Sequence, residues 1–106
     1  NKVIEAKDGD TLLTLKELAP VRLLKNKFSN DILELYKSNP SKQDLIDLLG
    51  RARAKRGMFE GDLEDGELEI GQITGLINKI QPASKIIKEI ISEFNFEKNN
   101  LKGTMF

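Results

Sequence analysis

Apolar positions recur at helical spacing over most of the chain. Val21, Leu24, Phe28, Ile32 and Leu35 follow one another at intervals of three and four, which predicts a helix opening at Pro20 and ending before Asn39-Pro40. Ser41, followed three residues later by Asp44, resembles a capping box with Asp in place of Glu, and Leu45, Ile46, Leu48 and Leu49 form the apolar stripe behind it. That second helix is expected to run on through the Arg-Ala-Arg-Ala-Lys-Arg stretch at 51–56, since these residues favour helix, and to stop at Gly57. Ile70, Ile73, Leu76, Ile77 and Ile80 repeat the spacing, and Pro82 opens a closing helix with Ile86, Ile87, Ile90, Ile91 and Phe94 on its buried side. Residues 2–6 read as the last turns of a helix, 7–11 as a turn and 12–15 as the one short strand. The pattern therefore predicts a mainly α chain with at most one short strand.

Composition narrows the chemistry. Lysine plus arginine and aspartate plus glutamate number 17 each, so no field of one sign draws the chain to nucleic acid or an anionic membrane. No apolar run approaches the roughly 18–20 residues that cross a bilayer. Cysteine is absent, which removes disulfides, thiolate nucleophiles and sulfur-ligated metals and makes a reducing cytoplasm the expected setting. Histidine is absent too, so acid–base work near neutrality falls to a tuned carboxylate or lysine, and no Ser-His or Cys-His pair exists. With no tryptophan, a single tyrosine (Tyr36), and Phe96 and Phe106 in a polar tail expected to fray, the core must rest on Leu and Ile.

Three local patterns invite a functional reading. The acidic run from Glu60 to Glu67 fails the EF-hand register, because placing Gly66 at the loop's glycine position puts Gly61 and Leu63 where oxygen ligands belong. It reads as an ordered, solvated loop, and no metal is expected. Arg51, Arg53, Lys55 and Arg56 lack nearby aromatics for base stacking and directly precede that loop, so local salt bridging is the expectation. Gly71-Gln72 stands at or near the start of the 73–80 helix, where free N–H groups can face an anion or a polar ring edge and Gln72 offers a donor and an acceptor. A turn is the plainer reading of the same pair.

The stretch from Gly50 to Gln72, GRARAKRGMFEGDLEDGELEIGQ, resembles the C-terminal signature of the FMN-dependent nitronate monooxygenase (2-nitropropane dioxygenase) and enoyl-acyl-carrier-protein reductase II family. Glu60-Gly61-Asp62, Gly66 and Gly71-Gln72 carry the match, which continues to Phe94 and upstream through Thr14 to Phe28. The resemblance implies the helical C-terminal fragment of an α/β TIM-barrel flavoenzyme, since a barrel takes about 250 residues. It divides the chain into the end of a helix and a turn (1–11), a helical substrate-domain segment (12–57), an acidic loop and closing helices packing on a missing barrel (58–94), and a polar tail (95–106). It implies FMN as cofactor of the whole protein, with Gly71 and Gln72 near the flavin and Met58 a further neighbour. No catalytic residue is assigned, and the chain alone is expected to be inactive. The implied partners are the N-terminal barrel portion of the same protein and a small-molecule or acyl thioester substrate, with homo-oligomerisation allowed for. Nitronate oxidation is the broader expectation and NAD(P)H-driven enoyl reduction the alternative. A self-contained helical interaction module is the competitor from another class.

Overall fold

The computed structural model describes residues 1–104; Met105 and Phe106, the end of the tail, lie outside the described residues. A one-turn helix α1 (Lys2–Glu5) leads into the strands β1 (Thr11–Thr14) and β2 (Val21–Leu24). Helices α2 (Lys27–Tyr36), α3 (Lys42–Leu49) and α4 (Arg53–Met58) follow, then a 3-10 turn (Gln72–Leu76) and the long helix α5 (Ala83–Gly103). The mainly helical reading holds. No helix of the described residues is long and apolar enough to cross a membrane.

The first departure is at Val21–Leu24, which is a strand and not the first turn of a helix. Thr11 pairs with Leu24 and Thr14 with Val21 in an antiparallel ladder, so the short strand has a partner. Val21, Leu23 and Leu24 fit either element, and only long-range pairing decides. Leu23 is the informative residue: it falls off the supposed helical face, yet it is fully buried. The helix begins later, at Asn26, whose side chain accepts from the Ser29 amide while Ser29 Oγ accepts from the Asn26 amide, a reciprocal cap. Ser41 and Asp44 form the expected capping box at α3.

The second departure is at Gly50, where φ of 66° ends α3. Ala52 then takes a left-handed conformation and α4 starts afresh, so the chain turns where a continuous helix was expected. Gly57 does not stop a helix; it lies inside α4 because packing demands it. A Cβ there would sit 2.8 Å from the Glu67 carbonyl oxygen and from Leu68 Cδ2. Gly66 lies against Gly57 as well, and a Cβ on it would overlap Gly57 Cα and the Asp62 carbonyl oxygen.

Leu15, Leu23, Phe28, Ile32 and Leu45 form the core, with Leu18, Val21, Leu35, Tyr36, Leu48 and Leu49 packed around it. The acidic loop is ordered, as expected: Asn26 Nδ2 donates to the carbonyls of Leu63 (3.1 Å) and Gly66 (2.8 Å), and the Phe28 amide donates to Glu64 O. Beyond it, residues 68–70 run along the free edge of β2, with Leu24 N donating to Leu68 O and Ile70 N to Arg22 O.

The 3-10 turn that follows still packs on the turn after α1 through buried Thr74, and beyond it the packing ends. The helix expected over 73–80 is only the 3-10 turn, and residues 77–81 are irregular. Helix α5 opens behind Pro82 but runs to Gly103, past Phe94, because residues 95–102 contain neither Gly nor Pro. None of its described residues is buried, so Ile86, Ile87, Ile90, Ile91 and Phe94 are exposed and do not line an interior. The radius of gyration, 18.1 Å, records the extension; a compact 100-residue domain has about 13 Å.

Candidate cofactor-contacting corner

Gly71 and Gln72 stand at the corner where the 68–70 edge segment ends and the 3-10 turn begins. Ile70 is held by Arg22 O, and Thr74, 1% exposed, donates both its amide and its hydroxyl to Gly71 O. Gly75 fixes the far side, since a Cβ there would lie 3.0 Å from Asp8 N. The corner is thus clamped between β2 and the turn after α1. Gly71 and Gln72 themselves are exposed, and their amides bond to no other described residue.

The glycines separate by cause. Gly9, Gly50 and Gly61 have positive φ, while Gly57, Gly66 and Gly75 have backbone where a Cβ would go. Gly71 has φ of −84° and no atom of the described residues within 4 Å of a Cβ position. Neither its conformation nor its packing within this chain requires a glycine. The open space, two unpaired amides and the donor and acceptor of Gln72 suit the close approach of a planar polar ring.

Met58 lies elsewhere, at the end of α4, 54% exposed. The structure brings Gly71 and Gln72 together but does not join Met58 to them in a cleft. A cleft of about 570 Å³ opens beside the corner, between residues 76–81 and α5, and its lining includes none of the three. Gln81 Nε2 donates to Glu89 Oε2 at 2.8 Å and Lys79 Nζ reaches Glu89 Oε1 at 3.3 Å, tying this segment to α5. The Gln81 amide, then Lys79, holds the Glu89 carboxyl below its usual range. Gln81 Oε1 is buried with no partner among the described residues.

The basic stretch is partly paired as expected: Arg56 meets Asp62 at 2.6 Å and Lys55 meets Glu60 at 3.7 Å. Arg53 does something that its spacing did not signal. Its guanidinium donates to Leu48 O, Leu49 O and Asp65 O at 2.7–2.8 Å, and lies 4.2 Å above the Phe28 ring. It therefore caps the open carbonyls of α3, anchors the acidic loop and covers the core at once. Glu67, 8% exposed, is the other unforeseen group; burial, then the neighbouring Glu69, pushes its carboxyl up, against the pull of Arg53. No group of three or more metal-ligating side chains is found among the described residues.

No family model and no curated relative matches the sequence. Among solved structures, the chain is similar to FabK from Thermotoga maritima, with 33% identity and a TM-score of 0.77 over 98% of this chain and 33% of that one. A methionine-to-alanine mutant of FabK from the same organism gives 31% identity and a TM-score of 0.73, over 98% of this chain and 30% of that one. The chain spans about a third of the length of the structures it matches.

Proposed function

We propose that this chain is the C-terminal part of an FMN-dependent oxidoreductase of the enoyl-acyl-carrier-protein reductase II type, which reduces an enoyl thioester with NAD(P)H. The similarity to FabK over 98% of the chain carries the reading. It supports enoyl reduction, and no observation here favours nitronate oxidation. FMN, when bound, supplies the hydride relay between nicotinamide and enoyl group. This chain's own contribution is positional. Gly71 leaves room for the ring to approach, Gln72 and the two free amides offer hydrogen bonds to its polar edge, and Met58 stands further off as a candidate apolar neighbour. The chain has no histidine and is assigned no proton-transfer role.

The test is a fusion in which this chain replaces the matching third of FabK. It is expected to retain FMN and to oxidise NAD(P)H only when an enoyl thioester is present, while the isolated chain does neither. A folded fusion that consumes alkyl nitronate and oxygen but leaves enoyl thioesters untouched would return the assignment to nitronate oxidation. A folded fusion without flavin would reject both.

A further inference from the structure

We infer that Thr74 is a positioning residue for the flavin, holding the Gly71–Gln72 peptide so that the Gln72 N–H faces the approaching ring; this rests on the reading above. A trans peptide is planar, with its carbonyl and its N–H pointing in opposite directions. Gly71 O and Gln72 N belong to one such peptide, and the described residues contain no cis bond. Whatever holds that carbonyl therefore aims the amide. Thr74 holds it twice: its N–H donates to Gly71 O at 3.2 Å, and its hydroxyl donates to the same oxygen. With the carbonyl turned to a residue that is 1% exposed, the N–H is turned to the outer side of the corner, where it bonds to no other described residue.

The hydroxyl goes beyond what the turn needs. The Thr74 amide alone closes the first i to i+3 bond of the 3-10 turn, so the hydroxyl is a second donor to a carbonyl already served. At a position this buried, valine would fill nearly the same space without it. The peptide that it fixes also follows a glycine. With no side chain at 71 to restrict rotation, the 71–72 peptide is free to swing its carbonyl and N–H past one another. The bond from Ile70 N to Arg22 O holds the chain just before it, and the packing of Gly75 against Asp8 holds it just after. Between these clamps, Thr74 is the one described residue that bonds to the peptide. A donor set in advance costs less ordering when the ring binds, and the saving appears as affinity.

The fusion described above tests this through FMN dissociation constants, read from flavin fluorescence, with the thermal midpoint of each flavin-free variant as the check on folding. Thr74→Val is expected to weaken FMN about threefold to tenfold, the range of one hydrogen bond, and Thr74→Ser, which keeps the hydroxyl, by less than about twofold. Proline at 72 isolates the route, because it lacks the N–H. The extended Gly71 before it and the start of the turn at 72 both admit proline. Gln72→Ala and Gln72→Pro both remove the side chain, and only the second removes the donor. Thr74→Val is expected to keep its full effect beside Gln72→Ala and to change affinity by less than about twofold beside Gln72→Pro. The same effect beside either substitution overturns the inference, because Thr74 would then act on the fold and not through the amide. Unchanged affinity in Thr74→Val alone overturns it too. If Thr74→Val does not fold, the Gln72 pair decides: a proline variant about threefold or more weaker than the alanine variant supports the inference, and equal affinities overturn it. A folded parent fusion that binds no flavin removes the reading on which this rests, whereas a flavin-binding fusion with the wrong pattern removes only the role of Thr74.

Discussion

Residues 10–70 and residues 72–103 use similar side chains to opposite ends. In the first region Leu15, Leu23, Phe28, Ile32 and Leu45 close on one another, and the polar residues between them tie loops to helix ends. In the second, an equally apolar series of isoleucines and phenylalanines closes on nothing. Apolar periodicity therefore reports that a face is to be covered, not that this chain covers it.

The sharpest way to break the comparison is to truncate one phenylalanine in each region. Phe28→Ala is expected to remove about 3–5 kcal/mol, most of the stability of a unit this small. Phe94→Ala in the isolated chain should change it by less than about 0.5 kcal/mol. Chemical denaturation of both variants, monitored by circular dichroism, gives the two numbers. Comparable losses would mean that α5 is part of the same core. Next comes Arg53→Lys, which keeps the charge but cannot serve three carbonyls or stack on Phe28, and is expected to cost about 2 kcal/mol by the same measurement. Asn26→Ala removes a cap and strands two loop carbonyls, for about 1–2 kcal/mol.

Glu67 sharpens the comparison through pH. Its folded-state pKa is raised, so the folded chain holds a proton that the unfolded chain releases, and stability is lost as pH rises from the ordinary carboxylate pKa through the folded one. Glu67→Gln should therefore be more stable than the parent at pH 7 and should flatten the fall in thermal midpoint above the ordinary carboxylate range. A variant with an unchanged pH profile would show that burial does not perturb this carboxyl. The smallest effect is expected at Gly71→Ala, within about 0.5 kcal/mol in the isolated chain, whereas flavin retention by the fusion should fall. A large loss of stability in the isolated chain would show that the fold itself needs this glycine.

Much of the architecture was legible in the sequence, for physical reasons that also mark where reading stopped. The α2 face, the Ser41–Asp44 cap and the ordered acidic loop follow from local spacing and hydrogen-bonding chemistry. The β2 strand does not, because Val21–Leu24 is apolar at both helical and extended spacing, and its partner is ten residues upstream across a turn. The break at Gly50 is not legible locally, because Arg53, three residues on, stabilises the ended helix from outside it. At the candidate site, Gly71 and Gln72 were visible as a pair. Their reason was not: that no described residue of this chain requires a glycine at 71 emerges only once the neighbours are placed.

Amide hydrogen exchange across the isolated chain tests the account most directly. The amides of α2 and of the β1–β2 ladder should exchange only through global opening, and those of α5 orders of magnitude faster, because little but local hydrogen bonding holds that helix. One uniform level of protection from β1 through α5 in a monomer would contradict the account, since the face taken here as waiting for the rest of the protein would already be covered.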